Sequence, residues 1–409
     1  MAQTLLKLLN DFPALTIKHD AKKLVYLDSA ATTLKPRQVI DAMAYFDYYN
    51  YASISRGSYA LSDNSMVLYE SARDAIKRFF GCNDNYELVF TRGTTESLNL
   101  IAAGIANSIY ESDRILLSRY EHHSNILPWR IVADKQKAHL DIIELDENLE
   151  LDLEHLKNSI YENTKVMSIT HVSNVIGNII PIKQIIDIAH TNNIPVIIDA
   201  AQSAPHIPIN VSALDVDAIA ISAHKMLGPS GIGCLIARKT LLEKIEPLNF
   251  GGGAVYRVQE KEYSYKDIPF KFEAGTPNIT GAIGWAEAIR YLEHIGMDTI
   301  TSHIQNLSHQ LYNVLHSFES IKIFGEKSRD AGVGLFSIII DDIHPHDISS
   351  FLDSYGVASR GGTLCCQPLL RKYNIRAVSR FSLYLYNTEE DIAYLDTVLK
   401  KMLHYFRKF

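Results

Sequence analysis

Asp199 and Lys225 are the residues whose types and placement promise chemistry. Each closes a short apolar run: Val196-Ile197-Ile198 leads into Asp199-Ala200-Ala201-Gln202, and Ile219-Ala220-Ile221 leads into Ser222-Ala223-His224-Lys225. Runs of this kind, bounded by small residues, read as buried strands of a parallel sheet. Ligands of open α/β sheets sit beyond the carboxyl ends of the strands. An acid and a lysine would then share the mouth of one site. Partial desolvation there lowers a lysine's pKa and frees its amine to attack a carbonyl. The plain alternative is a surface lysine after an ordinary strand, with Asp199 capping a helix.

A Schiff-base lysine beside an acid that can pair with a pyridinium nitrogen is the pattern used by pyridoxal 5′-phosphate (PLP). The carboxylate keeps the ring nitrogen protonated, so the ring accepts electrons. Ser222 and His224 flank the lysine and can donate to a phosphate. Upstream, Arg92-Gly93-Thr94-Thr95-Glu96 turns a strand into a helix. A glycine and two hydroxyls at a helix N-terminus suit a phosphate, although a threonine there is more often only a cap. His122 and His123 are adjacent, with no acid or cysteine at ligand spacing, so no metal centre is expected. An imidazole stacked on a cofactor ring suits them better.

The elements that must carry these residues follow from patterning. Further strands are expected at Leu24–Leu27, Glu87–Phe90, Ile115–Ser118, Lys165–Thr170 and Cys234–Ala237. Helical stretches lie between them. One runs from Pro36 to about Tyr49. Another, capped by Ser62, presents Val67, Leu68, Ala72, Ile76 and Phe79 on its apolar face. The alternation predicts an α/β protein with a large, doubly wound, mainly parallel sheet domain over residues 20–290. Residues 1–19 and 291–409 are assigned to a smaller α+β domain. Gly251-Gly252-Gly253 opens a stretch to about Lys271 that is expected to be irregular and to line a site or an interface.

Composition narrows the function classes. The chain has 409 residues, 47% of them hydrophobic and 21% charged, which is ordinary for a globular protein. A formal net charge of −7 and the lack of any lysine- or arginine-rich block argue against nucleic acid as a partner. No apolar run approaches the ~18 residues that would span a membrane. The segment from Met1 to Leu15 lacks a basic leader and a small-residue cleavage site, so it reads as an amphipathic helix packed on the body. A cytoplasmic location is the expectation. None of Cys82, Cys234, Cys365 and Cys366 forms a Cys-x-x-Cys pair. Adjacent Cα atoms lie ~3.8 Å apart, short of the usual disulfide span, so no structural bridge joins Cys365 to Cys366.

Six motifs occur in order: Arg92-Gly93-Thr94-Thr95-Glu96, Glu121-His122-His123, His171-Val172-Ser173-Asn174, Asp199-Ala200-Ala201-Gln202, Ser222-Ala223-His224-Lys225 and Phe272-Glu273-Ala274-Gly275-Thr276-Pro277-Asn278. Together they resemble the SufS-like (class II) cysteine desulfurases, in the class V aminotransferase group of fold-type I PLP-dependent transferases. The similarity runs from Asp11-Phe12-Pro13 to Tyr386-Asn387-Thr388. It implies that Lys225 holds PLP covalently, Asp199 pairs with its ring nitrogen, Gln202 bonds its hydroxyl and His122 stacks on its face. Thr94, Thr95, Ser222 and His224 would bind the phosphate, and Thr276 would reach the phosphate of a neighbouring subunit in a homodimer. Arg380, assisted by Asn174, would clamp the substrate carboxylate, with Arg360 as the substitute candidate. Cys365 would attack the sulfur of L-cysteine, leaving L-alanine and a persulfide. The sulfur would pass to a SufE-like acceptor protein for iron–sulfur cluster assembly.

Two departures from the family pattern stand out. Thr363 and Leu364 occupy the places of two histidines before the nucleophile, and Ser55 stands where a histidine often precedes the arginine of the Arg56-Gly57 loop. Cys365 therefore has no histidine next to it in the sequence to help its thiol ionise. Cys366, at a position usually small, is expected to be buried and inert. The departures keep two alternatives open: a selenocysteine lyase or another PLP-dependent lyase or aminotransferase on this scaffold, and a catalytically weak dimeric platform for sulfur transfer.

Overall fold

The apolar runs form one central layer, and their alternation divides it between two cores. The structure is a computed structural model that describes residues 8–18, 22–54, 57–326 and 332–406. Ser55 and Arg56 lie outside the described residues. The central strands are β1 (Tyr86–Thr91), β2 (Arg114–Ser118), β3 (His139–Ile143), β4 (Thr164–Thr170), β5 (Val196–Asp199), β6 (Ala218–Ser222) and β7 (Gly233–Arg238). Their order in the sheet is β1-β7-β6-β5-β4-β2-β3. Side chains alternate across a strand. Accordingly Leu116, Met167, Ile198, Ile219 and Ile236 enter one core, while Ile115, Leu117, Val166, Ile197, Ala218 and Leu235 enter another.

Strands β2 to β6 run parallel, whereas β7 is antiparallel to both β6 and β1. The sheet is thus mostly parallel, with one reversed strand. The reason is the connection after β6: a single tight turn at Ala223–Lys225 and the Gly228-Pro229-Ser230-Gly231 loop. A parallel crossover needs a dozen or more residues. The chain has fewer before β7 and so folds straight back.

A second sheet contains β8 (Ile321–Ile323), β9 (Leu335–Ile340), β10 (Arg360–Gly362) and β11 (Val378–Ser382). It is antiparallel in the order β8-β9-β11-β10. Its core includes Leu307, Leu311, Phe336, Phe381 and Leu399, together with Val25 and Leu27 from the start of the chain. Val25–Tyr26 pairs parallel with Val357–Ala358. That pairing delivers the Asp28 loop to β10 and β11, where Arg360 and Arg380 face each other in register.

Three local expectations need correction. The helix Ala60–Phe79 starts two residues before Ser62, and Ser62 instead donates to Ser53 O at 2.6 Å. Val67 lies on the outside of that helix, 62% exposed, because Tyr69, Ala72 and Ile76 take the inner face. The stretch expected to be irregular contains a hairpin, Val255–Val258 with Tyr263–Tyr265. At the N-terminus, Pro13–Thr16 forms one short helix, and buried Phe12 packs edge-on against Tyr386 at 5.0 Å. Residues 1–7 of the expected amphipathic helix lie outside the described residues.

Candidate active site

The parallel strands end in polar residues at one edge of the sheet, and a cavity of about 360 Å³ opens there. Every expected site residue except Thr276 lines it. Asp199 ends β5 and Ser222 ends β6. The tight turn after β6 presents Lys225, the turn after β2 presents His122, and the helix after β1 begins at Thr94. Arg360 and Arg380 come from the second sheet, and Cys365 from the loop that follows β10.

Burial sets the protonation states. Desolvation lowers the pKa of Lys225 to about 8, with Asp199 opposing it. Asp199 is buried, which raises its carboxyl, while its Oδ1 accepts from Ala201 N at 2.9 Å. His122 caps the helix His123–Gln136, its Nδ1 accepting from Ser124 N at 3.1 Å. A neutral His122 must then carry its proton on Nε2. Burial, helped by the charges of Lys225, His123 and Arg380, pushes its pKa down to about 3 and keeps it neutral. Glu121, the residue before it, is buried and its pKa is driven up to about 8 by desolvation. Ser118 Oγ, Asn125 Nδ2 (2.6 Å) and Thr170 N (2.9 Å) hold its carboxyl and thereby fix the turn that presents His122.

The phosphate-type end is built from small groups. Ser222 Oγ accepts from Thr94 N at 2.8 Å and donates to Thr94 Oγ1 at 2.8 Å. Thr95 Oγ1 pairs with Ser124 Oγ at 2.8 Å. Gly93 has φ +146°, and a Cβ there would stand 3.1 Å from Ser222 Oγ. Glycine is what lets the helix start approach β6. His224 O accepts from Thr33 N, the Thr32 and Thr33 hydroxyls and Lys35 Nζ, all within 3.1 Å, which clamps the turn that carries Lys225.

The second-sheet side carries cations and sulfur. Arg380 is 3% exposed, and desolvation lowers its pKa to about 10. Its Nη1 donates to Asn174 O at 3.0 Å and its Nη2 to Asp28 Oδ1 at 3.2 Å. Asn174 Nδ2 in turn donates to Leu364 O at 2.8 Å. Cys365 is exposed and Cys366 buried. The Cys366 thiol donates to Tyr120 O and Glu121 O at 3.4 and 3.3 Å, and burial pushes its pKa up. A histidine distant in the chain does touch this loop, though through its backbone and away from the Cys365 thiol. His123 N donates to Cys365 O at 2.8 Å, and His123 Nε2 accepts from Gln367 N at 3.4 Å.

Thr276 stands apart, in a second cavity of about 330 Å³ with Arg92, Gly231, Asn249 and Asn278. Its segment is anchored by Glu273, which pairs with buried Arg73 at 2.7 Å and accepts from Phe90 N at 2.7 Å. Asp28, Ser124 and Lys35 were not singled out from the sequence, and Glu121 and His123 were named there only within the Glu121-His122-His123 motif, without the contacts they make. Their roles depend on partners distant in the chain or on turns whose geometry sequence does not display. Two buried polar atoms in the cavity wall have no hydrogen-bond partner among the described residues, Gln202 Oε1 and Arg380 Nε. One offers an acceptor for a ligand hydroxyl and the other a donor for an anion, so this donor set fits PLP with an amino-acid substrate.

Residues 25–395 match the family model described as aminotransferase class-V. The chain belongs to that family. It is 43% identical over 398 residues to a "Probable cysteine desulfurase" of Halalkalibacterium halodurans, covering 97% of each chain. It is 41% identical to one of Staphylococcus aureus, covering 98% of this chain and 97% of that one. Among solved structures it resembles the apo cysteine desulfurase of Thermococcus onnurineus (TM-score 0.92, 34% identity, 97% of each chain). It also resembles the cysteine desulfurase CsdA of Escherichia coli (TM-score 0.90, 32% identity, 98% of each chain). Membership of this family, with such relatives, implies dependence on PLP.

Proposed function

We propose that this chain is a PLP-dependent L-cysteine desulfurase that forms L-alanine and a persulfide on Cys365. The observation that carries the reading is the meeting, in one cavity, of Lys225 and Asp199 from the central sheet with Arg380 and Cys365 from the second. PLP bound there supplies an electron sink for the substrate's Cα. Lys225 would hold it covalently, Asp199 would pair with its ring nitrogen, Gln202 with its hydroxyl and His122 with its face. Thr94, Thr95, Ser222 and His224 would hold its phosphate.

The protein's own groups divide the remaining work. Arg380 binds the α-carboxylate, with Asn174 O fixing one of its nitrogens. Lys225, with its pKa near 8, moves the Cα proton near neutral pH. Cys365 Sγ attacks the substrate sulfur, so an S–S bond forms as the C–S bond breaks. The electron pair of that bond stays on the carbon side, where protonation completes alanine. Cys366 plays no part as a nucleophile, because its thiol is buried and spent on two carbonyls.

The active species is a homodimer that passes sulfur to a SufE-like protein. The dimer is supported by exposed aromatic residues: the mutually packed Tyr45, Tyr48 and Tyr49 of one helix, and Tyr59, Tyr256 and Tyr263. Placement of Thr276 away from the first cavity agrees with its serving a neighbouring subunit. Alanine release from L-cysteine, with persulfide mapping by mass spectrometry after one turnover, tests the reading. Cys365→Ser should abolish both products and Cys366→Ala should retain them. Alanine from Cys365→Ser at the wild-type rate would refute it.

A further inference from the structure

The turn that presents Lys225 is gripped from outside the cavity. Four donors converge on His224 O, the carbonyl of the peptide bond that leads into Lys225: Lys35 Nζ at 2.9 Å, Thr33 N at 3.0 Å, and the Thr32 and Thr33 hydroxyls at 3.1 Å. A carbonyl oxygen has two lone pairs, so this acceptor is crowded. On the other side of Lys225, Leu227 N donates to Thr33 Oγ1 at 2.9 Å. Leu227 has φ +66°, a left-handed conformation that a leucine keeps only where its surroundings hold it. Lys35 makes the shortest of the four contacts, and its Nζ also donates to Thr33 O at 2.8 Å. It stands behind the turn, apart from the residues that line the cavity. Its hydrogen-bond partners are neutral oxygens, and burial lowers its pKa to about 7. A lysine that has lost its proton still keeps two N–H donors, enough for both carbonyls, so the grip holds on either side of neutral pH.

The amine of Lys225 depends on where that turn sits. Its pKa is lowered first by burial; Asp199 and Cys365 raise it, and Arg380 and Arg360 lower it further. The histidines around it, His122, His206 and His224, are kept neutral by burial, their pKa values pushed down to about 3 or 4. These charged groups come from the central and second sheets, whereas the charge of Lys35 is felt by His224. The segment from Thr32 to Lys35 therefore reaches Lys225 through the turn, whose position sets how far water approaches the amine. We propose that Lys35 is a positioning residue for cofactor capture: by holding His224 O it keeps the turn closed and shields the Lys225 amine from water, in the form that attacks an aldehyde. The argument rests on the reading that Lys225 holds PLP.

The test follows PLP uptake by the cofactor-free protein against pH, read by the absorbance of the lysine-bound cofactor. Lys35→Met nearly keeps the length of the side chain and removes its donors. Water readmitted to the turn should move Lys225 toward its ordinary pKa of ~10.4, and a rise of about one unit is expected. Uptake should then slow about tenfold at pH 7, where the neutral amine is scarce, yet stay within about twofold of wild type at about pH 9.5. Comparing variant with wild type at each pH cancels the ionisation of the cofactor itself. A purely structural loss would slow uptake alike at both pH values, and that result overturns the proposal, as does an unchanged rate at pH 7. Should Lys35→Met not fold, Thr33→Val, which removes a hydroxyl from the same grip, should shift the profile in the same direction. An unmoved profile in that variant overturns the proposal equally. Failure of the underlying reading is distinguishable: Lys225→Ala would then still give a borohydride-reducible adduct.

Discussion

Arg380→Ala should raise the KM for L-cysteine at least about 30-fold while leaving kcat within a few-fold of wild type. The arginine is almost fully buried, so its interaction with a carboxylate is poorly screened by water. Its desolvation is already visible in a pKa lowered to about 10. Truncating one partner of such a desolvated charged pair costs about 2–5 kcal/mol. The lower end applies here, because Arg360 remains in the cavity as a second cation. At ~1.4 kcal/mol per factor of ten, that lower end is about 30-fold. The loss should fall on KM if the contact is made equally in the ground and transition states. Asp28 would still be held by the Arg360 fork, so the loop should stay in place. Arg380→Lys should recover only part of the affinity, since an ammonium cannot make the planar two-point contact. The assay is alanine release against cysteine concentration, with the visible absorbance of the lysine-bound cofactor as a check on occupancy. A KM within threefold of wild type, at full PLP occupancy, would show that another group holds the carboxylate.

Cofactor uptake should depend on pH through Lys225. Its neutral form attacks the aldehyde, and a pKa near 8 leaves about a tenth of it neutral at pH 7. The uptake rate of cofactor-free protein, followed by absorbance, should therefore rise about tenfold from pH 7 to 9 and then level; a flat profile contradicts the assignment. Lys225→Ala should fold yet give no borohydride-reducible adduct. Glu273→Ala should destabilise the protein by about 3 kcal/mol in urea unfolding, the low end for breaking a buried ion pair, since Glu70 still contacts Arg73 at 2.9 Å. Sedimentation should find the active protein as a dimer, and a fully active monomer would sink that part of the reading.

What was legible in the sequence was what local pattern encodes. Strands β5 and β6 are buried along their whole length, so they read as unbroken apolar runs with their polar ends at the site. Strand β3 escaped notice because, at the sheet's edge, its first residue is exposed and the next three are only partly buried. The hairpin after Gly253 escaped too, since Tyr256, Val258 and Tyr263 are all exposed and no inward alternation marks it. Asp28 could not be read as a site residue. Its partners Arg360 and Arg380 lie 332 and 352 positions away, and nothing local distinguishes it from a turn aspartate. His123 is the same case, with Gln367 244 positions away. The histidine pair was legible as a possible stacking imidazole, and the family resemblance assigned that place to His122.

The loop around the proposed nucleophile is held in place without the two histidines. Leu364 and Cys365 both have φ +53°, a left-handed conformation that costs a non-glycine residue energy. Such a turn persists only if its surroundings fix it, and here they do so from several directions. Leu364 is 8% exposed and belongs to the main core, an apolar anchor where an imidazole would be poorly solvated. Asn174 holds Leu364 O, His123 holds Cys365 O, and the Cys366 thiol reaches back to Tyr120 O and Glu121 O. Burial lowers the pKa of His123, and its Nε2 is already engaged by Gln367 N, so it acts on the loop more as a clamp than as a base. Arg360 lines the same cavity wall as Cys365, and its own pKa is raised first by the hydrogen bond to Asp28. An arginine stays protonated across the working pH range, so the cation in this wall is constant where a histidine would titrate. The Asp28 fork holds that cation in place from the far end of the chain.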